Sequence, residues 1–274
     1  METNLNSIEI SKVDEKIILT PVWERVRTVL IVIISIAVFV ISLNMLSLDI
    51  PRFMARLENF PNIARLFMGI NWSAIPAGLE QLLVSFALGI CGLIIGGIAS
   101  FILAFCAADN TTFFKPLAIF IKAFVSIVRA VPNLVLILMI VASLGMGYTA
   151  GVLGLTLSTV GYLTKAFIST IEEQDEHLAE ALKATGANWF QVMLHGYLPG
   201  ALTGFIAWIS IRAETSVAES ISLGVIGAGG IGMMLARAIR QYDFHTISTL
   251  ILIIFISMFI LELAITRFRR KISR

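Results

Sequence analysis

An all-α polytopic membrane protein is the fold class this sequence predicts, on three observations. Apolar residues make up 58% of its 274 positions. Charged residues make up only 14%, against roughly 25% in an ordinary soluble domain. The charges are also spaced so that six windows are uncharged, or nearly so, over about the 20 residues a helix needs to cross ~30 Å of hydrocarbon. Only a helix or a closed barrel pairs its own backbone groups in lipid. Lys and Arg (20) nearly balance Asp and Glu (18), so no polybasic surface points to nucleic acid. Cys91 and Cys106 share one uncharged stretch and read as small buried hydrophobes rather than a disulfide framework.

The first window, 28–48, follows a polar segment, 1–27, whose length and mixed charge predict a retained span rather than a cleavable leader. In the segment 49–78, Pro51, Pro61 and Pro76 predict short interfacial helices instead of a folded domain. A core of five spans is expected over 79–268. Its first window runs from Gln81 to Ala108. Arg129 and Lys165 then bracket 35 uncharged residues interrupted by Gly145, Gly147, Gly151 and Gly154. That length predicts two spans, about 123–143 and 149–170, with a tight turn at Leu144 to Thr149. Pro199 to Ser222 makes a more polar fifth window and His245 to Arg267 the sixth. With both termini cytoplasmic, 14 of the 20 Lys and Arg fall inside and five outside, with Arg212 inside a span. The positive-inside rule favours that orientation.

The loop 171–198 is then the largest cytoplasmic one. Glu172, Glu173, Asp175 and Glu176 favour a helix start, since carboxylates stabilise its positive N-terminal end. The helix should stop at Gly186, and a second amphipathic piece, Ala187 to His195, should precede the span opened by Pro199. Two short helices meeting at a glycine form either a docking knob or a solvated connector. The residues Glu180, Ala181 and Leu182, then Gly186, and after eleven intervening residues Leu198 and Pro199, resemble the EAA loop of ABC importer permeases. Leu182 and Gly196 depart from that pattern, but its spacing is kept. The resemblance spans about residues 75–270. It implies a loop seated in a groove of a separate ATPase subunit, with Glu180 as polar anchor and Gly186 as the turn. It further implies a homodimer enclosing the pathway, two ATPase copies and one external solute-binding protein.

Five glycines occur within nine residues at Gly224, Gly227, Gly229, Gly230 and Gly232. Gly227, Gly229 and Gly232 match GxGxxG, but a dinucleotide site needs a βαβ unit that is not expected here. A gate-lining re-entrant segment and inert close packing both fit, with Met233 and Met234 following. This run and the helix before it resemble phosphonate-type permeases and, less closely, methionine-type ones, implying phosphonate, phosphate or phosphite as cargo.

Within the fifth span, Arg212, Ser216, Glu219 and Ser220 share one helical face, a stripe that could line a pathway. Arg212 and Glu219 lie about 10 Å apart along the axis and are not expected to pair directly. The competing reading is structural, with Glu214 reaching Arg129. His177, His195 and His245 are scattered, so no metal site is expected. There is no G-x-x-x-x-G-K-[ST], GxSxG or HExxH, so neither a nucleotide cofactor nor catalytic residues are expected, in agreement with the separate ATPase that the resemblance implies. The competing class is a self-sufficient secondary transporter or channel. Such proteins commonly carry paired broken helices in inverted repeats, and here only the fifth span is followed by a glycine-rich break.

Overall fold

The computed structural model describes residues 22–46, 49–175 and 177–272. Residues 1–21 of the polar segment, Ser47 and Leu48 of the first window, Glu176 of the acidic run and residues 273–274 lie outside the described residues. Two compact units divide the chain, Met1–Pro61 and Asn62–Arg274. In the first, α1 (Val22–Met45) carries Ile and Val on every face and is exposed from Trp23 onward, as suits a helix solvated by lipid. After it, α2 (Ile50–Glu58) starts at Asp49, whose carboxylate accepts the Arg52 N–H at 2.9 Å, with Pro51 in the first turn. The boundary between the units falls within α3 (Phe60–Phe67).

The second unit is built from α4 (Ile75–Ala107), α5 (Lys115–Ala130), α6 (Asn133–Leu144), α7 (Tyr148–Glu172), α8 (His177–Ala184), α9 (Trp189–Val192), α10 (Leu198–Leu223), α11 (Gly230–Arg240) and α12 (Phe244–Ile272). Helices α1, α4, α7, α10 and α12 are long and apolar enough to cross a membrane. Where one helix over 123–143 is expected, the chain forms two, α5 and α6, bent by 94° at their junction, the geometry of a broken span or of a re-entrant loop. Pro132 is the cause. Its ring disfavours helical backbone at the preceding residue, and Val131 (ψ 128°) and Pro132 (ψ 135°) are both extended.

Helices α4 and α7 form the centre. A Cβ on Gly92 would fall 2.5 Å from the Leu155 Cβ, and one on Gly96 would fall 2.6 Å from the Thr159 Cβ, so the two backbones approach as closely as small residues allow. At one end Phe105, Phe167, Ile171, Val192, Tyr197 and Phe205 make a buried core that joins α4, α7, the α8–α9 segment and α10. Beside it, Lys122 on α5 donates to Asp109 (2.7 Å) and Glu172 (3.0 Å), tying α5 to the ends of α4 and α7. At the other end Ile231, Ile247 and Leu250 pack with Leu82 and Ile221. There Asn71 bonds the Thr246 and Thr249 hydroxyls, and Asp243 caps α12 by accepting the Thr246 hydroxyl (2.6 Å) and N–H (3.1 Å). These two bonds, the hydroxyl first, hold the Asp243 carboxyl below its ordinary range.

Candidate translocation cleft and coupling elbow

Arg212 lies on α10 with its side chain only 3% exposed. Its Nη2 and Nη1 donate to the two oxygens of Glu219 at 2.8 and 2.9 Å, a two-pronged pair. This corrects the expectation that residues seven apart in one helix cannot pair. The two turns set the distance between the Cα atoms, but an extended guanidinium and a carboxylate reaching back along the helix close it. Arg212 Nε also donates to Thr159 Oγ1 (3.1 Å), Nη2 to Ser158 Oγ (2.9 Å) and Nη1 to Thr215 Oγ1 (3.4 Å). The guanidinium sits 5.8 Å from the Tyr162 ring centroid, near enough for a cation–π contact. Glu219 accepts a further bond from Asn133 Nδ2 at 2.9 Å. Asn133 is the first residue of α6, so the cluster fastens α10 to α7 and to the far side of the Pro132 break.

A cleft of about 190 Å³ opens beside this cluster, lined by Arg212, Ser158, Asn133 and Tyr162 together with Arg129, Val128 and Gly161. No carboxylate lines it. Arg129 ends α5 just before the break, and among the described residues it forms no ion pair with Glu214. Arg129 and Asn133 were missed as site residues in the sequence. The available signal was Pro132, a helix breaker lying between a cation and an amide within an apolar window.

The predicted stripe divides between two neighbours. Arg212 and Glu219 face α7 and α6. Ser220 donates to the Ser85 carbonyl of α4 at 2.8 Å, and Ser216 is fully buried where Gly89 of α4 meets the α10 backbone. The glycine run also lies away from the cleft. After α10 the chain makes a π-helical turn, Gly224–Ala228, and reverses through Gly227, Gly229 and Gly230, with φ of +107°, +97° and +71°. A Cβ on Gly229 would strike the Tyr148 ring and one on Gly230 the Ser85 hydroxyl, which itself accepts the Ile231 N–H at 3.1 Å. These three glycines thus hold the break against α4 and the start of α7.

The loop 171–198 folds as an elbow. Helix α8 ends in a Schellman motif: the Ala187 N–H donates to the Leu182 carbonyl (3.1 Å) and the Gly186 N–H to the Lys183 carbonyl (3.0 Å), with Gly186 left-handed at φ +84°. Asn188 and Gln191 form a capping box that starts α9. Ala179, Val192 and Met193 anchor the elbow in the core, and the Trp189 indole N–H donates to the Thr111 carbonyl. Glu180, Ala181, Gly186, Leu178 and Phe190 remain exposed, while Leu182 is half-buried against the core. Among the described residues no three His, Cys, Asp or Glu side chains converge as metal ligands.

Comparison with known proteins agrees with this architecture. Residues 96–274 match the family described as "Binding-protein-dependent transport system inner membrane component". A phosphate-import permease protein, PhnE, of Mycolicibacterium smegmatis is 34% identical over 73% of this chain and 38% of its own length. A phosphite transport system permease protein, PtxC, of Stutzerimonas stutzeri is 33% identical over 72% of this chain and 73% of its own length. Among solved structures, an inward-facing form of the MetNI methionine ABC transporter matches 74% of this chain and 98% of the solved chain, with a TM-score of 0.61 at 23% identity. An amino acid ABC transporter matches 73% of this chain and 95% of the solved chain, also with a TM-score of 0.61, at 20% identity. A matched family that covers most of the chain, on a helical fold with five helices long and apolar enough to cross a membrane among the described residues, makes this chain a multi-pass membrane transport subunit that belongs to the inner membrane components of binding-protein-dependent transport systems.

Proposed function

We propose that the chain is the permease subunit of an ATP-driven importer for a small oxyanion, phosphonate, phosphate or phosphite. It works as a homodimer with both termini in the cytoplasm, served by two copies of a separate ATPase and one external solute-binding protein. The observation that carries this reading is the elbow: Glu180, Ala181 and Gly186 are exposed on a base that is buried and capped at each turn. A rigid base under a protruding surface of mixed polarity transmits a push from a docked subunit to α7 and α10, which it joins. The oxyanion assignment is supported by the names of the phosphate- and phosphite-transporting relatives. In this reading Arg212 and Glu219 belong to the wall of the pathway. Ser216, Ser220, Gly227, Gly229 and Gly230 lie behind it and set the position of a gate segment.

Reconstitution tests the proposal. The chain co-expressed with its ATPase should yield a complex that takes up methylphosphonate or phosphate into liposomes only with ATP and the binding protein. Glu180→Lys should leave the permease inserted while reducing ATPase co-purification and uptake by at least about tenfold, as expected for loss of a charge-assisted interface bond. Uptake by liposomes that contain the chain without any ATPase would overturn the reading in favour of a secondary transporter.

A further inference from the structure

The cleft beside Arg212 has two guanidiniums in its wall, and they differ in what they can still bind. An Arg offers five N–H donors. All five of Arg212 are engaged, one by Thr159, one by Thr215, one by Ser158 and two by Glu219, and the last also neutralises its charge. Arg129 is the opposite case. Its side chain has no hydrogen bond or ion pair among the described residues, and it lines the cleft at the bend between α5 and α6. Arg129 is exposed, so its charge keeps contact with water while its donors stay free to meet a ligand. Gly161 makes room for it: a Cβ there would fall 2.9 Å from the Val128 Cγ1 and 3.4 Å from the Arg129 Cγ. Without that Cβ the end of α5 and the Arg129 stem lie directly on α7.

We infer that this cleft is an anion site in which Arg129, rather than Arg212, is the cation that takes up the ligand. The Arg212–Glu219 pair is the clamp that keeps the opposite wall in place. Arg129 is the one lining cation without a counter-ion; Asn133 and Ser158 also line the cleft but already donate to Glu219, which itself does not line it. Acceptor-rich anions are the ligands that complement such a wall. A volume of about 190 Å³ equals that of about six waters at ~30 Å³ each, enough for one tetrahedral oxyanion and a partial hydration shell. Arg129 has no built-in counter-ion to be displaced, so the ligand enters without breaking the clamp. For its physiological cargo the inference rests on the oxyanion-importer reading; for binding itself it rests on the cleft.

The test uses the full chain in complex with its ATPase, with methylphosphonate and inorganic phosphate as probes and methionine as a zwitterionic control at constant ionic strength. Thermal unfolding of the wild type should shift upward saturably with either anion and not with methionine. In Arg129→Gln the anion concentration for half the shift should rise at least about tenfold, the loss expected for one charge-assisted contact, with the ligand-free Tm unchanged. Arg129→Lys should fall between, keeping the charge but not the fork. Gly161→Ala should weaken the response by pushing the stem off α7. A wild type without a saturable shift, or an Arg129→Gln protein that responds like wild type, overturns the site. Uptake by the reconstituted wild type separates the two failures. Transport of methionine and of neither anion would overturn the cargo assignment, whatever the binding result.

Discussion

The Arg212 side chain is 3% exposed and that of Glu219 25%, and this asymmetry decides which loss costs more. Glu219→Ala strands a buried guanidinium with hydroxyl partners alone, so we predict a destabilisation of about 3–5 kcal/mol, the range for breaking a buried pair from one side. Arg212→Met leaves a carboxylate that keeps the Asn133 amide and access to solvent, so its cost should be smaller, about 1–3 kcal/mol. Thermal unfolding of the two detergent-solubilised variants checks the order, and the reverse order would mean that the carboxylate is the stranded charge. The pair itself escaped the sequence reading because axial rise describes Cα atoms, whereas an Arg arm, six bonds from Cα to Nη, sweeps more than a helical turn. The face shared by Arg212 and Glu219 was legible. That Ser216 and Ser220 meet α4 instead depended on where a neighbouring helix lies, which periodicity does not encode.

At the scale of elements, glycines carry the assembly, and two of them set opposite expectations. A Cβ on Gly232 would collide with the Ile221 carbonyl, a backbone atom that cannot move aside, whereas one on Gly97 would meet only the Leu163 Cδ1 at 3.9 Å. We therefore predict that Gly232→Ala prevents α11 from folding back on α10 and lowers the yield of monodisperse protein severalfold. Gly97→Ala should be neutral, or stabilising by up to ~1 kcal/mol through helix propensity. Size-exclusion profiles and Tm values compare them, and a well-folded Gly232→Ala protein would show that the reversal is not as tight as described. The turn of the elbow was legible because its signal is local, Gly186 ending one helix, whereas the acidic run was misplaced: Glu172 and Glu173 close α7 instead of opening α8. The α5–α6 break was read as a straight span because hydropathy averages over Pro132. The cleft that the break creates was hidden with it, since Arg129 and Ser158 are brought together by packing alone.

For the whole molecule, the orientation proposed from the distribution of Lys and Arg predicts which surface is reachable from each side. In a background with Cys91 and Cys106 replaced, a cysteine at Thr185 should react with an impermeant thiol reagent only in inside-out vesicles, and one at Asn59 only in right-side-out ones. Labelling with the sides exchanged would invert the topology and move the proposed ATPase surface out of the cytoplasm. The broken crossing bears on how such a molecule is made. With 12 residues, α6 is about 18 Å long, well short of the ~30 Å of hydrocarbon, and it leans on α7 where Ile137 fills the space over Gly154. It has no stable residence in a bilayer by itself. We therefore expect α6 to enter the membrane only together with α7, as a hairpin closed at Gly145 to Gly147, and a chain truncated before α7 to leave α6 outside the bilayer. On that expectation the order of synthesis, in addition to hydropathy, sets when this segment becomes part of the membrane.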